Sequence, residues 1–340
     1  MKSYLRVVSI SFLGIVVMVT GFALVTHIVN AARTEHVAAP VPLFPPGAIW
    51  NQDISHAPVD PQSSTMINWL DSAGGWGYGR MQIDFSMRVL HANASTPNVR
   101  FRKGDGFIGA DSDNVTEVPL PVGGGLEGQS GYQCTGGGDC HLLVVDRAHG
   151  KLYETWASNV TDNVLSAAFI SVWDLNRVYP PSGRGEQCTS ADAAGLPIAP
   201  LVFNADEIAS GSINHAIRFI LPGQRIRAHV YVHPATHASN PSGPSNAPPF
   251  GAHFRLKASF DVSQLSPEAQ VVARAMQKYG MFLSDVGNIA LTAQSDQDTT
   301  AKYANIDFDS HALKALKVTD FEIVDMGTPI HSNDECKLNP

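Results

Sequence analysis

Three chemically reactive side chains stand next to one another at the start of a strongly apolar run. In the stretch GGGDCHLLVVD (136–146), a triple glycine precedes Asp139, Cys140 and His141. Because the run that follows is apolar at successive positions, it predicts a central strand covered on both faces. Glycines without side chains would let a ligand approach the backbone closely. The stretch therefore predicts a functional site at the mouth of a buried strand.

A hairpin would bring more polar side chains to this mouth. The sequence HLLVVDRAHGKLYETWAS (141–158) predicts two antiparallel strands that turn at residues 147–150. With a loop of even length, His141 lies opposite Trp156, and Glu154 is its diagonal neighbour. A loop of odd length would turn the second strand over and undo this grouping. The residues that share one face in the even case are Asp139, His141, Glu154 and Trp156.

Two carboxylates beside an imidazole and an indole suit the cleavage of a sugar chain. Asp139 and Glu154 could divide into a proton donor and a base or nucleophile, and Asp84 could substitute for either. His141 could hold or shuttle a proton, and Trp156 offers an apolar platform for a sugar ring. The alternative is a purely structural one, in which Asp139 and His141 form a buried bonded pair that fixes the hairpin and Trp156 belongs to the core.

Three other segments alternate between apolar and polar residues, namely RMQIDFSMRV (80–89), RIRAHVYVH (225–233) and AHFRLKASFDV (252–262). Such alternation predicts strands of antiparallel sheets that pack as a sandwich. The polar faces are basic and rich in planar groups, which indicates a polyhydroxylated or anionic ligand. The substrate-binding candidates on these faces and on the hairpin are Trp156, Arg80, Gln82, Arg227, His229, Tyr231, Arg255 and Lys257.

The chain as a whole predicts a mainly β protein, an antiparallel β-sandwich or jelly roll with a few short helices. Short helices are expected before Gly74, from Ser266 to Gly280 and around residues 310–317. Residues 1–32 have the layout of a signal peptide or of an N-terminal membrane anchor. Residues 33–48 form an Ala/Pro-rich spacer, and residues 49–340 form a single β-sandwich domain.

The cysteines agree with a location outside the cytoplasm, either secreted or periplasmic. The four cysteines allow three pairings, and we expect Cys140 to bond either Cys134 or Cys188. The absence of a C-x-x-C pair disfavours a metal site, although His233 and His237 form a weak candidate pair. A net charge of −8 argues against a nucleic-acid partner. No nucleotide-binding or serine-hydrolase motif is present, and we expect no cofactor.

Several segments together resemble a widespread group of secreted bacterial proteins of unestablished activity. They are GDCHLLVVDR, CTSADAAGLPIAPL, INHAIRFILP, YVHPATH, PPFGAHFRLKASFD and ARAMQKYGMFLSDVGNIAL. The resemblance covers most of the chain beyond residue 45. It implies secretion and a single β-rich domain, and it carries over no catalytic residue. A looser similarity to jelly-roll polysaccharide lyases is an analogy of fold, in which Arg80, Gln82, His141, Tyr231 and Arg255 would line a concave sheet.

The sequence leaves three functions open. The first is a secreted enzyme that hydrolyses glycosidic bonds with Asp139 and Glu154. The second is a lyase on an anionic uronate polymer, in which Tyr231 or His141 abstracts a proton and an arginine or glutamine neutralises the carboxylate. The third is a non-catalytic surface protein that binds a glycan or a cell-wall partner. Contact with a membrane is expected only through the possible N-terminal anchor.

Overall fold

The computed structural model describes residues 41–333 and 335–339. The predicted signal peptide or anchor and residues 33–40 of the spacer lie outside the described residues. The α-helices are α1 (Ser63–Ser72), α2 (Ala205–Ser210) and α3 (Pro267–Lys278). The strands are β1 (Ile83–Met87), β2 (Val89–Ala92), β3 (Asn98–Lys103), β4 (Glu117–Pro119), β5 (Leu142–Asp146), β6 (Lys151–Trp156), β7 (Asn159–Thr161), β8 (Val164–Ala167), β9 (Phe169–Asp174), β10 (Ile217–Leu221), β11 (Val230–Tyr231), β12 (His253–Leu256), β13 (Met281–Val286), β14 (Leu291–Gln294), β15 (Phe321–Ile323) and β16 (Ile330–His331).

The described strands form three main sheets, so the mainly β prediction is confirmed, and the arrangement is consistent with a β-sandwich. The six-stranded sheet has the order β1-β14-β10-β13-β12-β15. The middle sheet has the order β2-β5-β6-β9, and the outer sheet has the order β4-β3-β8-β7. Strands β11 and β16 form a separate pair.

The sheets are mixed, which refines the antiparallel prediction. The pairs β1–β14, β10–β13, β2–β5 and β3–β8 are parallel, whereas the β5–β6 hairpin and the β6–β9 pair are antiparallel. Alternation of apolar and polar residues reports that one face of a strand is buried. It does not report the direction of the neighbouring strand, because both kinds of pair have a side-chain period of two.

The middle sheet separates two apolar cores. Leu143 and Val145 of β5 belong to the larger core, together with side chains of the six-stranded sheet. Leu142 and Val144 point the other way, into the smaller core shared with the outer sheet. All four side chains are completely buried. The prediction that this strand is central and covered on both faces is confirmed.

Two of the three predicted helices are present. Helix α3 begins after Ser266, whose hydroxyl accepts a hydrogen bond from the Ala269 amide, and the chain reverses at Gly280 with a φ of 70°. Helix α1 ends shortly before Gly74, as expected. Residues 310–317, in contrast, form a series of turns and no helix. The apolar side chains there pack without a continuous ladder of helical hydrogen bonds.

Two predicted strands are much shorter than their patterns. In residues 225–233 only Val230 and Tyr231 form a strand, because Arg225 ends a 3-10 turn and His229 has a φ of 57°. In residues 252–262 the strand ends at Leu256, and a turn follows. A positive φ breaks the alternation of faces, so the polar residues of these segments do not line one continuous surface.

The described end of the spacer belongs to the folded domain. The Phe44 ring packs edge-on against Trp50, with ring centroids 4.9 Å apart. Phe44 and Ala48 are both buried in the larger core. The domain therefore includes residues before position 49, where the sequence placed its beginning.

Two disulfides close the domain. Cys140 bonds Cys134, which confirms one of the two expected partners, and Cys188 bonds Cys336. Cys140 lies just before β5 and is buried in the smaller core. Disulfides of this kind persist in oxidising compartments.

Candidate functional site

The hairpin has the predicted even register. Leu142 pairs with Thr155, and Leu143 pairs with Glu154 across β5 and β6. At the open end of the hairpin, before β5 and after β6, the pairing becomes irregular. The amide of Ala157 donates to the carbonyl of Asp139 at 2.9 Å, which departs from the register of the two strands. The strands thus bring His141, Glu154 and Trp156 to the mouth of the hairpin, but the side chains find separate partners there.

Glu154 is a buried structural carboxylate. Its Oε1 accepts hydrogen bonds from the amides of Ile198 and Ala199, both at 2.8 Å, and its Oε2 accepts one from the Trp173 indole at 3.0 Å. Burial raises the pKa of Glu154 to about 7, although the three donors favour the charged form. The side chain has no exposed surface. In this arrangement Glu154 cannot contact a polysaccharide, which corrects its expected role as catalytic partner of Asp139.

Asp139 and Trp156 form the outer rim of the site. The indole Nε1 of Trp156 donates to Oδ1 of Asp139 at 3.0 Å. Asp139 is exposed, and Trp156 is half-buried against the larger core. The pair therefore presents part of an aromatic face and a carboxylate to solvent.

His141 is held from both sides. Its Nδ1 lies 2.6 Å from Oε2 of Glu127, and its Nε2 lies 2.9 Å from the carbonyl oxygen of Ala191. Two acceptors on the two ring nitrogens favour the doubly protonated ring. Burial alone would lower the pKa of His141, but the hydrogen bond and charge of Glu127 raise it to about 9. His141 is a fixed cation of this site.

Glu127 joins His141 to the first strand of the six-stranded sheet. Burial alone would raise the pKa of Glu127, whereas the contact with His141 lowers it to about 2. The Ser86 hydroxyl lies 3.2 Å from Oε1 of Glu127 and 3.0 Å from Oδ2 of Asp84. One hydroxyl carries one proton and cannot donate fully to both carboxylates. Partial burial raises the pKa of Asp84, and the charge of Glu127 adds to this rise.

A row of polar side chains crosses four neighbouring strands of the six-stranded sheet. Asp84 on β1 is the register partner of Thr292 on β14. Arg218 on β10 donates from Nη1 to the Thr292 hydroxyl and from Nη2 to Oδ2 of Asp285 at 3.4 Å. Asp285 lies on β13 next to β10. The sheet therefore lines up two carboxyl groups on either side of a buried guanidinium group.

The loop of residues 189–195 adds a third carboxylate to this row. Oδ1 of Asp192 accepts a hydrogen bond from Nη2 of Arg218 at 2.9 Å, and both side chains are at most 2% exposed. The loop is fixed by the bond from the Ala194 amide to the Ser284 carbonyl at 2.9 Å. At Gly195, with a φ of 78°, an added Cβ would collide with Thr236 and with a backbone carbonyl. The small residues of this loop let it lie close against the sheet.

Asp192 and Asp285 form a coupled carboxyl pair. Within the described residues, Oδ2 of Asp192 is buried and has no N–H or O–H partner. Burial raises the pKa of Asp285, and the negative charge of Asp192 adds to the rise while Arg218 opposes it. With a pKa of about 8, Asp285 is protonated at neutral pH and can donate a hydrogen bond to a neighbouring carboxylate. The Asp285 side chain is 24% exposed, so part of it is accessible to solvent.

These contacts define what we call the central polar cluster, which consists of Asp84, Glu127, His141, Asp192, Arg218 and Asp285. It combines four acids with two cations, and each cation already has a carboxylate partner. Two of the acids, Asp84 and Asp285, have raised pKa values and are partly exposed. Asp285, whose pKa rises to about 8, keeps a proton near neutral pH, which is typical of a general acid.

The sequence pointed to Asp84 and His141 but missed the other members. Asp192 lies in a loop of small residues, where the sequence shows no periodic pattern. The sequence contained one indication of a role for Arg218, because this residue interrupts a strand that is otherwise apolar (IRFIL). Glu127 lies in a loop, where periodicity carries no information. Asp285 is adjacent to buried residues of β13, and its partnership with Asp192 depends on tertiary packing alone.

The predicted binding residues are not brought together. Arg80 is exposed and contacts Gln82 at 3.3 Å, next to β1. Arg227 donates to the Ala247 carbonyl, while His229 is an exposed residue before β11. The Tyr231 hydroxyl donates to Glu186 at 2.7 Å, away from His141.

The remaining basic candidates lie near the other edge of the six-stranded sheet. Arg255 is buried and forms an ion pair with Glu322 at 2.7 Å. Lys257 donates to the Thr319 carbonyl at 2.7 Å. The expected continuous basic face is therefore absent from the described part of the chain, because its members serve as local bridges between loops and strands.

The candidate metal ligands also have separate partners. Nε2 of His233 lies 2.7 Å from Glu186, and Nδ1 of His237 lies 2.8 Å from the carbonyl oxygen of Ala193. Among residues 41–333 and 335–339, no group of three or more His, Cys, Asp or Glu side chains has the arrangement of a metal site.

In comparisons with known proteins, no family model matches the chain, and no curated protein or solved structure is significantly similar to it. The resemblance to a group of secreted bacterial proteins stays a prediction. No helix in the described residues is long and apolar enough to cross a membrane. What the structure defines is a mainly β, disulfide-bonded domain with a cluster of paired acidic and basic side chains.

Proposed function

We propose that the protein is a secreted enzyme that hydrolyses glycosidic bonds of a polysaccharide at the central polar cluster. The observation that carries this proposal is the coupled pair of Asp192 and Asp285. A carboxyl group with a raised pKa and partial exposure can donate a proton to a leaving oxygen at neutral pH. The fully buried Asp192 holds that proton in place until it is transferred.

In the proposed reaction, Asp285 protonates the glycosidic oxygen as the bond to the anomeric carbon breaks. A water molecule attacks the anomeric carbon, and the Asp84 carboxylate takes up the proton that the water loses. The products are two shorter sugar chains, and the enzyme regains its starting state when Asp84 returns a proton to solvent and Asp285 takes one up. Trp156 supplies an apolar platform for a sugar ring at the rim.

The other members of the cluster position these two acids. Arg218 contacts both Asp192 and Asp285 and fixes their relative orientation. Glu127 and His141 form an ion pair that holds the Ser86 side of the site, and the charge of Glu127 helps keep the pKa of Asp84 raised. We assign Glu127, His141 and Arg218 as positioning residues.

Cleavage of a uronate polymer by a lyase mechanism is less well supported. That reaction requires a cation that neutralises the substrate carboxylate. Arg218 and His141 are the cations of the cluster, and both are paired with its own acids. Tyr231, the expected proton acceptor, donates its hydroxyl to Glu186.

The proposal is tested by incubating the secreted protein with a panel of polysaccharides and measuring reducing ends and ultraviolet absorbance in parallel. We expect new reducing ends without the absorbance of an unsaturated product. Asp285→Asn should lower kcat by about 10²- to 10⁴-fold, the usual contribution of a general acid.

The matched control is Asp71→Asn, which removes an exposed carboxylate of α1 and should keep full activity. Absorbance that accompanies cleavage would instead establish a lyase. Saturable binding to a polymer whose length never changes would establish a non-catalytic glycan-binding protein. Full activity of Asp285→Asn would remove the central polar cluster from the chemistry.

A further inference from the structure

The rim of the site carries two carboxylates, Asp84 and Asp139, that form no ion pair within the described residues. Asp139 receives a hydrogen bond from the uncharged Trp156 indole, and Asp84 receives one from the uncharged Ser86 hydroxyl. Within the described residues, neither carboxylate has an Arg, Lys or His nitrogen within 4.0 Å. These two acids are therefore available to a ligand.

The cations of the cluster cannot compensate for this surplus. His141 is bound to Glu127 at 2.6 Å, and Arg218 is bound to Asp192 at 2.9 Å, with Asp285 next to it. Each positive charge is thus matched by an acid inside the cluster before any ligand arrives. With Asp285 protonated, the remaining acids of the cluster and Asp139 still outnumber the two cations, a balance that favours cationic ligands over anionic ones.

An aromatic face adjoins the exposed carboxylate. The contact between Trp156 and Asp139 places an indole next to a carboxylate at one point of the rim. Ammonium groups are favoured at such places, because the π face and the carboxylate both attract a positive charge. A sugar ring is favoured as well, because its apolar C–H face packs against an indole. A positively charged sugar combines both kinds of contact.

We propose that the preferred substrates carry free amino groups, as in polymers of glucosamine, and that Asp139 with Trp156 recognises the ammonium group of one sugar unit. This inference rests on the proposed function, since it assigns the substrate class of the same site. It accounts for the surplus of carboxylates over cations, which a neutral polymer would leave without a ligand. Uronate polymers would be repelled by Asp84 and Asp139.

The test measures binding apart from cleavage. The Asp285→Asn variant, whose kcat should be lowered by about 10²- to 10⁴-fold, is titrated calorimetrically in mildly acidic buffer with chelator present. The ligands are a glucosamine hexamer, its fully N-acetylated form and a galacturonate hexamer. We expect the glucosamine hexamer to bind about tenfold more tightly than the acetylated one, which corresponds to about 1.4 kcal/mol. The preference should weaken at high salt.

Asp139→Asn in the same background should remove most of this preference while keeping the affinity for the acetylated hexamer. Trp156→Phe, which keeps an aromatic ring, should retain part of the preference, and the melting temperature of each variant shows whether it is folded. Equal affinities for the two glucosamine hexamers, or tighter binding of the uronate, would overturn the inference. The cleavage assay on the wild-type protein tests the proposed function separately. Tighter binding of the glucosamine hexamer without any cleavage would support the substrate class and refute only the proposed hydrolysis.

Discussion

Two groups of buried acids in this protein differ in how their oxygens are satisfied. Glu154, inside the hairpin, accepts three hydrogen bonds from fixed N–H donors. Asp192 and Asp285, against the six-stranded sheet, share a single guanidinium group, and one oxygen of Asp192 has no fixed donor in the described residues. Fixed donors satisfy the carboxylate of Glu154 although burial raises its pKa to about 7, whereas one oxygen of Asp192 lacks such a donor. The shortage of donors at Asp192 and the partial exposure of Asp285 together distinguish the proposed reactive acids from the structural one.

The largest effect on stability should come from removing the shared cation. Arg218→Met keeps most of the side-chain volume but leaves the acids Asp192 and Asp285 without their partner. Breaking a buried ion pair in this way typically costs about 3–5 kcal/mol. Chemical denaturation of the purified variant measures this loss. The additional change Asp192→Asn should recover part of it, and wild-type stability of Arg218→Met would contradict the view that the pair depends on this cation.

Glu154→Gln should cost less and should act on stability alone. The amide keeps one acceptor oxygen but turns an NH2 group toward N–H donors, and an unsatisfied buried donor costs about 1–3 kcal/mol. We expect kcat to stay close to that of the wild type at a temperature where the variant is folded. A large loss of kcat with an unchanged melting temperature would return Glu154 to the chemistry and erase the difference between the two groups.

The disulfide under the hairpin should brace the protein without taking part in the reaction. Replacing Cys134 and Cys140 together by serine opens a loop with a sequence separation of 6. Loop entropy for so short a segment corresponds to about 2 kcal/mol. The melting temperature should fall, and kcat should be unchanged, because Cys140 lies in the smaller core, whereas His141 contacts Glu127 and Ala191 on the side of the larger core. A drop in kcat at constant folded fraction would show that the brace also positions the cluster.

The ion pair of His141 and Glu127 should give a pH-dependent contribution to stability. The pKa of His141 is raised from 6.5 to about 9, so its contribution is complete below pH 6.5 and is lost as the pH rises through 9. The pKa of Glu127 is lowered from 4.5 to about 2, so its contribution is complete above pH 4.5 and is lost as the pH falls through 2.

The pH range in which the His141–Glu127 ion pair stabilises the fold can be measured as the difference in melting temperature between the wild type and Glu127→Gln at several pH values. The difference should be greatest between pH 4.5 and 6.5 and should shrink toward pH 9. A difference that grows above pH 6.5 would contradict a charged His141 in the folded protein, and with it the assignment of His141 as a fixed cation.

Local patterns predicted the hairpin and its surroundings well. The even register of β5 and β6 and the burial of Leu142 to Val145 both follow from strand geometry. The caps of α3 were equally readable, because Ser266 and Gly280 act within one turn of the chain. These features depend on neighbours in sequence, and a single sequence contains them.

The chemistry of the site was less predictable, because its members come from distant segments. Asp192 meets Arg218 and Asp285 only after a loop, two strands and a sheet have assembled. The prediction of an acid pair was wrong for Glu154. The alternation of β6 placed this residue on the expected face, but it could not show that Ile198 and Ala199 cover the carboxylate. Position on a face can be deduced from alternation, whereas access to solvent depends on what packs over that face.

The middle sheet has a consequence for how the domain comes apart. Its strands contribute side chains to both apolar cores, so loss of packing in either core exposes apolar residues of this sheet. Separate opening of the outer sheet would expose Leu142 and Val144, and opening of the six-stranded sheet would expose Leu143 and Val145. The amide protons of β5 should consequently exchange with solvent only through global unfolding, and the two cores should melt in one cooperative transition.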